Sequence, residues 1–557
     1  MHRAPLIAVA LLLSASASAV AQRPGGALTD PGSRIDSVFR AFDASSPGCA
    51  VAVSQRGTVV ADRAYGMAHL EHGVPNTPAT IFEAGSVSKQ VVAAAAVLLS
   101  LDGKLSLDDD ARTYLPELPD YGAPLTIRHL LNPTSGLRDW GSMAALGGWP
   151  RGTRVYSNDL VLHIARHQRS LNYAPGTYWS YTNTGYNLLA LIVGRVSGVP
   201  LAEFTRARLF VPLGMAHTSW RDDHARVVKG RATAYAPDSA PAAYRLDMPF
   251  DDAYGNGGLL TTATDLLRWT ANLESGTVGG APFIAEMHRQ GVLTSGRTVE
   301  YAGGLFVTSY RGIPEVSHSG ATAGYRAFLS RYPEQGVALA VLCNAANASA
   351  VALGHRVADA YLGGAVATRT DSTSRPPAAL APQRLATLAG VYRRERDGQP
   401  MQLVARDGRL RTQGGSALVP LSAGRFQLGG ADGNMLLFDS ATSDGGRVAF
   451  RMVSSDGDTT RYEPVAPFAP STAQLAEYAG TYESDEADGE FVVSVERDSL
   501  RLRDRYGQPM PAMRPDYADA FGNGRLGIRF VRDDAGRVVA LSVRDGRAWD
   551  VRFARRP

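Results

Sequence analysis

A serine and a lysine at positions 86 and 89 have the types and the spacing needed for nucleophilic catalysis. They lie in the segment Glu83-Ala84-Gly85-Ser86-Val87-Ser88-Lys89, where an almost uncharged helical pattern over residues 87–101 begins. Residues three apart share one face of a helix, and a lysine in apolar surroundings can accept the proton of a serine hydroxyl. The spacing predicts Ser86 as the nucleophile and Lys89 as its base. The valines and alanines that follow disfavour the alternative of a capping serine and a surface lysine.

A Tyr-x-Asn motif would add a phenol for proton transfer and an amide that orients the substrate. The motif occurs three times, as Tyr156/Asn158, Tyr181/Asn183 and Tyr254/Asn256. The second copy lies between Pro175-Gly176 and Gly185-Tyr186, just before an apolar helical pattern, which indicates a loop between two elements. We therefore predict Tyr181 as a catalytic residue and Asn183 as a substrate-binding residue. The other two copies are the alternatives.

A third motif, Val316-Ser317-His318-Ser319-Gly320-Ala321, precedes a hairpin pattern. If this segment is a strand beside the start of the helix, the backbone amides of Ser86 and Ala321 can form an oxyanion hole. Gly320 would let the substrate approach the backbone closely. We predict substrate-binding roles for His318, Gly320 and Ala321. The alternative is a histidine with a structural role only.

The elements that would position these residues alternate between strands and helices over residues 45–365. Hairpin patterns occupy residues 49–64 and 326–343, and a second apolar helix pattern covers residues 187–196. Strands at both ends with helices between them predict an α+β domain whose sheet joins its terminal segments. We assign this domain to residues 22–367.

The chain after this domain has a different pattern. Residues 368–383 are rich in Thr, Ser, Pro and Ala, which predicts a linker. Beyond it, short alternating segments separated by Asp-Gly and Gly-Gly predict all-β structure. Two segments recur with a shift of 90 residues, those that begin at Leu385 and Gly446 recurring at Leu475 and Gly536. The repeat predicts two β-barrels, over residues 384–467 and 468–557, with chance similarity as the alternative.

The first 21 residues have the pattern of a cleavable secretory signal. Positive charge at Arg3 is followed by an apolar stretch from Leu6 to Leu13 and by Ala19-Val20-Ala21. This pattern predicts cleavage after Ala21, with a buried N-terminal helix as the alternative. We expect a secreted or periplasmic protein with no stable membrane insertion after cleavage.

Composition excludes several other classes of protein. The chain has 557 residues, 45% of them hydrophobic, two cysteines and a net charge of +4. It has no run of Lys or Arg and no H-E-x-x-H motif or cluster of His and Cys, which disfavours nucleic-acid binding and a metal site. We predict an enzyme without a cofactor whose partner is a small-molecule or peptide substrate. The oligomeric state stays open.

Together, these motifs resemble the superfamily of class C β-lactamases and serine D-peptidases, which also contains D-aminopeptidases and esterases. The resemblance covers residues 35–365, and S-x-x-K is the acylating motif of its penicillin-recognising members. It includes Ser86-Val87-Ser88-Lys89, Leu125-Thr126-Ile127-Arg128-His129-Leu130-Leu131, Thr134-Ser135-Gly136-Leu137, Tyr181-Thr182-Asn183, Gly255-Asn256-Gly257-Gly258-Leu259 with Asp265, and His318-Ser319-Gly320. It implies an antiparallel sheet flanked by a helical subdomain, with the active site between them. The tail resembles the lipocalin-like barrels of D-aminopeptidase-like members.

The resemblance also implies a mechanism. Ser86 would form an acyl-enzyme, Lys89 and Tyr181 would share the proton transfers, and Asn183 would position the substrate amide or Lys89. His318 would hydrogen-bond Tyr181 or the substrate.

Two departures from the family pattern bear on the substrate. His318-Ser319-Gly320 stands where class C β-lactamases typically have Lys-Thr-Gly, and a histidine is mostly neutral at pH 7. Pro133 replaces the usual histidine before Thr-Ser-Gly, which predicts a local change of loop. We therefore expect a hydrolase of D-amino-acid peptides, amides or small esters. The alternatives are a class C-like β-lactamase and a non-catalytic penicillin-binding receptor or scaffold.

The implied fold also bears on the two cysteines. Cys49 opens the first predicted strand and Cys343 closes the last one, and in this fold those strands are antiparallel neighbours. The pair could form a disulfide in an exported protein, or remain two buried thiols.

Overall fold

The terminal strands of the N-terminal domain lie side by side in one antiparallel sheet. A computed structural model describes residues 31–240, 243–363, 380–429, 433–440, 446–454 and 458–557. The predicted signal, residues 1–21, lies outside these residues. In space the central strands follow the order Phe306–Tyr310, Ile313–Thr322, Tyr325–Tyr332, Val337–Cys343, Cys49–Gln55 and Thr58–Tyr65. This arrangement confirms the predicted α+β domain.

Both faces of the central sheet are covered, which explains the almost continuous apolar sequence of its middle strands. Ala50 and Ala52 face the larger hydrophobic core and its helices. Val51 and Val53 face a smaller core beneath helices Pro31–Phe39 and Ala350–Leu362. The remaining helices are Ser88–Leu101, Ile127–Leu131, Trp140–Leu146, Asn158–Arg166, Thr184–Ser197, Leu201–Thr205, Ala263–Ser275 and Gly280–Met287, with shorter helical turns at Gly85–Val87, Ala111–Thr113, Arg206–Phe210 and Pro333–Gln335.

Small sheets join the helical subdomain to the central sheet. Their strands are Phe82–Glu83, Leu259–Thr261 and Ser219–Trp220 in one, Met67–His69 and Val74–Pro75 in another, and Tyr235–Pro237 and Tyr244–Leu246 in a third. Among the described residues, no single helix has the length and apolar composition needed to cross a membrane. Within the part of the chain that the structure describes, only the consecutive helices Thr184–Ser197 and Leu201–Phe210 satisfy this test, as a pair bent by 77°.

The two cysteines lie directly opposite each other in neighbouring strands. Cys49 pairs with Cys343 in the register of the first and last strands, and a disulfide joins the two residues across a sequence separation of 294. Both are fully buried. The alternative of two free thiols is therefore wrong.

The C-terminal region forms two nearly closed, eight-stranded antiparallel barrels, as the repeat predicts. The first contains Gly390–Arg394, Pro400–Arg406, Arg409–Thr412, Leu418–Ser422, Arg425–Leu428, Asn434–Phe438, Phe450–Val453 and Thr459–Val465. The second contains Gly480–Ser484, Gly489–Glu496, Ser499–Asp504, Arg514–Tyr517, Ala520–Gly522, Leu526–Arg532, Val538–Asp545 and Ala548–Arg555.

A short helix precedes each barrel, Pro382–Leu388 in one case and Thr472–Ala476 in the other. The Tyr392 hydroxyl donates to the Leu388 carbonyl at 2.9 Å, and Tyr482 makes the same bond to Tyr478 at 2.8 Å. These two bonds are 90 residues apart, the offset of the sequence repeat. Of the predicted linker, residues 368–383, the part up to residue 379 lies outside the described residues, and helix Pro382–Leu388 begins within its last residues.

Candidate active site

Ser86 lies in the turn Gly85–Val87, which leads directly into the buried helix Ser88–Leu101. Gly85 has φ 51°, and a Cβ on it would lie 2.7 Å from the Ala321 nitrogen, so the turn requires glycine. The Ser88 hydroxyl donates to the Gly85 carbonyl at 2.5 Å and accepts from the Leu259 amide at 3.1 Å. The turn is therefore held on both sides. Ser86 lines a cavity of about 740 Å³.

Lys89 is fully buried and in contact with Ser86. Its Nζ lies 3.1 Å from Ser86 Oγ, 2.9 Å from Asn183 Oδ1 and 2.7 Å from the Asn256 carbonyl oxygen. Burial holds the pKa of Lys89 well below its ordinary value, and the Arg547 guanidinium lowers that pKa further, while the Asp139 carboxylate opposes both. The amine is therefore poised to be neutral and to act as a base.

Tyr181 and Asn183 line the same cavity as Ser86, and they lie immediately before helix Thr184–Ser197. The Tyr181 hydroxyl is buried and has no hydrogen-bond partner among the described residues. Burial raises the pKa of this phenol, although the nearby Ser86 side chain opposes the rise. The backbone amide of Asn183 donates to Asp139 Oδ2 at 2.8 Å, which fixes the loop. Tyr181 thus presents a protonated phenol to the site.

The helix that follows this loop begins three residues earlier than the predicted start at 187. Thr184 and Gly185 are already buried in its first turn, and a Cβ on Gly185 would lie 3.2 Å from the Leu130 carbonyl oxygen. Close packing against the neighbouring helix therefore outweighs the low helix propensity of glycine. The helix ends at Ser197, and the residue after it, Gly198, has φ 78°.

His318 is buried beside the site and does not bond to Tyr181, one of its two predicted partners, while the predicted bond to the substrate stays a prediction. Its Nδ1 lies 2.6 Å from the Ser319 carbonyl oxygen, and its Nε2 lies 3.0 Å from the Tyr301 hydroxyl. A carbonyl can only accept, so Nδ1 carries the proton and Nε2 accepts from Tyr301. Burial, with Lys89 nearby, lowers the pKa of His318 to about 3. The imidazole is neutral and positioned by its two partners.

Strand Ile313–Thr322 brings the Ala321 amide to the Ser86 turn. The neighbouring strand Phe306–Tyr310 pairs only as far as Ser317, so the strand edge beyond that residue faces the turn. A Cβ on Gly320 would overlap the Ala84 carbonyl oxygen and lie 3.1 Å from the Ser86 nitrogen. Gly320 therefore permits the approach of the Ser86 backbone, a role different from the predicted approach of the substrate. The amides of Ser86 and Ala321 lie together, as an oxyanion hole requires.

The structure brings together all the residues predicted for the site, and it adds others. The added residues include Tyr301, the Asn256 carbonyl, Asp139 and Arg547. The two alternative Tyr-x-Asn copies support the site indirectly. Asn187 Nδ2 donates to Asn158 Oδ1 at 3.0 Å and to Asn256 Oδ1 at 2.9 Å. All three copies of the motif therefore lie close to the site, but only Tyr181 and Asn183 present both side chains to Ser86 and Lys89.

One group of potential metal ligands occurs away from the cavity. Side chains of Asp223, His224 and Asp252 have ligand atoms within 4.8 Å of one another. His224 Nδ1 lies 2.8 Å from Asp252 Oδ1, so these two already pair with each other. The group does not line the Ser86 cavity.

Nucleophilic catalysis by a serine requires a base in contact with the hydroxyl and donors for the oxyanion, and Ser86 has Lys89 at 3.1 Å, with the amides of Ser86 and Ala321 in adjacent segments of the backbone. The family model described as Beta-lactamase matches residues 35–362, more than half of the chain. The chain belongs to this family, and it is a serine hydrolase of the β-lactamase and penicillin-binding protein superfamily.

The chain is similar to several characterised proteins. It is 29% identical over 316 residues to Penicillin-binding protein 4* of Bacillus subtilis (strain 168), a match that spans 53% of this chain and 67% of that protein. It is also 29% identical over 314 residues to D-aminopeptidase of Brucella melitensis biotype 2, spanning 55% of this chain and 58% of that protein. The octameric penicillin-binding protein homologue from Pyrococcus abyssi shares its fold, with 22% identity, a TM-score of 0.51 and coverage of 82% of this chain and 94% of that one.

Proposed function

We propose that this protein hydrolyses D-amino-acid peptides or amides, or small esters, through an acyl-enzyme on Ser86. The proposal rests above all on the 3.1 Å contact between Ser86 Oγ and Nζ of the fully buried Lys89. A neutral amine has two hydrogens and one lone pair. Asn183 Oδ1 and the Asn256 carbonyl can each accept one hydrogen. The lone pair then remains for the Ser86 hydroxyl.

In the proposed reaction, Ser86 Oγ attacks the substrate carbonyl carbon while Lys89 accepts the hydroxyl proton. The amides of Ser86 and Ala321 stabilise the oxyanion that forms. The proton then passes to the leaving amine or alcohol, with Tyr181 as the neighbouring phenol that relays it. Water subsequently attacks the acyl-enzyme, with the same groups acting as base and acid, and releases Ser86.

The preference for D-amino-acid substrates over β-lactams rests on two observations. A similar protein is named D-aminopeptidase, and the position where class C β-lactamases typically have a permanent lysine cation holds His318. This imidazole is buried and neutral, with a pKa of about 3. It cannot attract the carboxylate of a β-lactam as a lysine would.

We further propose that the protein is exported. The N-terminal segment has the charge, apolar stretch and Ala19-Val20-Ala21 ending of a secretory signal. A disulfide between Cys49 and Cys343 is consistent with an oxidising compartment. N-terminal sequencing of the protein from the culture medium and the periplasmic fraction tests this, with Gln22 expected as the first residue.

The activity is tested with the mature protein, Ser86→Ala and a control, Ser309→Ala, which removes an exposed hydroxyl from strand Phe306–Tyr310. Each protein is incubated with D- and L-alanine p-nitroanilide, p-nitrophenyl acetate, nitrocefin and a fluorescent penicillin, followed by intact mass measurement. We expect turnover of the D-anilide or the ester, and a mass adduct at Ser86, in wild type and Ser309→Ala only.

Rapid nitrocefin turnover would instead identify a β-lactamase. Preference for the L-anilide would refute the proposed stereochemistry. Absence of any adduct or turnover would favour the non-catalytic receptor.

A further inference from the structure

The second barrel places an arginine in the catalytic cavity of the hydrolase domain. Arg547 lies in the turn between strands Val538–Asp545 and Ala548–Arg555, and its side chain lines the same cavity as Ser86. Its guanidinium carbon is 4.8 Å from the centroid of the Tyr181 ring. The site is therefore built from two domains that are distant in sequence.

Hydrogen bonds to the hydrolase domain fix the backbone of this turn. Asn172 Nδ2 donates to the Arg547 carbonyl at 2.9 Å, and the Trp549 amide donates to Asn172 Oδ1 at 2.8 Å. The Arg547 amide donates to Ser142 Oγ at 3.3 Å. Since both sides of the turn are held, the position of the Arg547 side chain over Tyr181 follows from the way the barrel docks.

The docking itself is extensive and partly apolar. Met143 and Leu146 of helix Trp140–Leu146 belong to the hydrophobic core of the second barrel. Arg138 is only 1% exposed, forms an ion pair with Glu486 of the barrel, and donates to the Trp549 carbonyl at 3.1 Å. A buried ion pair and a shared core across the contact indicate a permanent interface.

The charged side chains that line the cavity are mostly cations. The arginines are Arg151, Arg221, Arg326 and Arg547, and the carboxylate is Glu83. Glu83 and Arg221 form a buried pair at 2.9 Å and balance each other. Arg547 has a looser carboxylate neighbour, Asp139 at 3.6 Å, and its side chain remains 47% exposed. The guanidinium therefore retains donors that a bound anion can use.

We propose that Arg547 is a specificity-determining residue through which the second barrel binds a carboxylate of the substrate in the Ser86 cavity. This inference rests on the proposed hydrolase function. A guanidinium can bind a carboxylate through two parallel hydrogen bonds, and a cation–π contact holds the guanidinium over the Tyr181 ring. Strand Ile313–Thr322 offers only the neutral His318. Arg151 and Arg221 both pair with Asp251, at 3.2 and 3.0 Å, and Arg326 donates to the carbonyls of Ala323 and Tyr325, at 2.6 and 2.7 Å. Arg547 is therefore the lining arginine best placed to bind a substrate anion.

The test uses the full-length protein and two pairs of probes that differ only in a carboxylate. One pair is N-acetyl-D-alanyl-D-alanine and its C-terminal amide, which place the charge on the leaving group. The other is mono-4-nitrophenyl succinate and its methyl ester, which place the charge on the acyl group. The ratio of kcat/KM within each pair cancels any effect on Ser86 and Lys89, because both members use the same catalytic groups.

We expect wild type to prefer the carboxylate in one of the pairs, and Arg547→Gln to reduce that preference about 10-fold to 100-fold. Arg547→Lys should restore part of it. The control Arg552→Gln removes an arginine of the same hairpin with the same side-chain exposure, 47%, whose partner is Asp550. This control should retain the wild-type ratio. Melting temperatures within about 2 °C of wild type would show that the variants keep the fold.

Turnover of the neutral probes with no carboxylate preference in wild type would overturn the inference and leave the proposed function intact. An unchanged ratio in Arg547→Gln would do the same. Absence of turnover of all four probes by a wild-type protein that hydrolyses D-alanine p-nitroanilide or p-nitrophenyl acetate would overturn this inference alone. Absence of turnover of every substrate, with no adduct at Ser86, would overturn the proposed function and this inference with it.

Discussion

Replacement of Arg547 should shift the pH dependence of catalysis, because this arginine is a cation close to the general base. Lys89 Nζ and the Arg547 guanidinium carbon each lie 4.8 Å from the centroid of the Tyr181 ring. The two charges are therefore at most about 9.6 Å apart. At an effective dielectric constant of about 20, the repulsion between them is roughly 1.7 kcal/mol.

Solvent weakens this repulsion, because the Arg547 side chain is 47% exposed. We allow about a factor of two for this screening. At 1.36 kcal/mol per pKa unit, the remaining effect on Lys89 corresponds to about 0.5–1 pH unit. Arg547 disfavours the charged amine, so it lowers the pKa of Lys89. Its removal should raise that pKa by this amount.

The proposed mechanism uses neutral Lys89, so kcat/KM rises with pH as Lys89 loses its proton. Arg547→Gln should move this rising limb to higher pH by about 0.5–1 unit and leave the plateau at high pH nearly unchanged. Asp139→Asn should move the limb in the opposite direction, because Asp139 raises the pKa of Lys89. Asparagine can still accept the hydrogen bond that the Asn183 amide donates to Asp139 at 2.8 Å.

The assay is kcat/KM for uncharged p-nitrophenyl acetate between pH 5 and pH 10 at low ionic strength, where charge–charge effects are largest. A neutral ester keeps substrate binding to Arg547 out of the measurement. Arg552→Gln serves as the control and should match wild type. The assignment of Lys89 as the group that titrates would be refuted by either of two results. The rising limb could stay in place in Arg547→Gln, or it could move in the same direction in Arg547→Gln and in Asp139→Asn.

Three other perturbations have direct structural reasons. Lys89→Met should keep the fold but lower kcat/KM for p-nitrophenyl acetate about 10²-fold to 10⁴-fold, since it removes the base; a smaller loss would contradict that role. Gly320→Ala should lower kcat about 10²-fold or more, because the added Cβ would overlap the Ala84 carbonyl oxygen beside the Ser86 amide of the oxyanion hole. Gly194→Ala, whose Cβ would meet nothing closer than 3.7 Å, should remain active. Cys49→Ala/Cys343→Ala should lose about 2–5 kcal/mol of unfolding free energy in urea, and unchanged stability would show that the disulfide contributes little.

Local sequence patterns predict the part of the site that depends on local geometry. The spacing of Ser86 and Lys89 places both on one helical face, and the apolar residues that follow indicate the burial that lowers the pKa of Lys89. The hairpin patterns predict the two strands that begin at Cys49 and end at Cys343, whereas the pairing of these strands is implied only by the resemblance to the family and is confirmed by their register. In each case, a period of two or of 3.6 residues translates directly into spatial position.

Other contacts in the site leave no such pattern. Lys89 bonds to the main-chain carbonyl of Asn256, and a backbone atom is present in every residue type. The Tyr301 partner of His318 comes from a loop between helix Gly280–Met287 and strand Phe306–Tyr310. No motif in the surrounding sequence distinguishes Tyr301 from the other tyrosines. Tyr181 is one of the two partners predicted for His318. The centroids of their rings are 6.0 Å apart, so the rings are neighbours that share no hydrogen bond.

The contribution of the second barrel depends on contacts between residues far apart in the chain. Arg138 and Trp549, which share a hydrogen bond, are 411 residues apart. The charge of Arg138 is balanced within the contact by Glu486 of the barrel. Without the barrel, this arginine would lose its buried ionic partner, and the apolar side chains of Met143 and Leu146 would lose the core that surrounds them. The same contacts position Arg547 beside Lys89 and Tyr181. The barrel therefore stabilises the segment that holds Asp139 and Asn183. Through Arg547, it also adds a positive charge to the cavity that Ser86 lines.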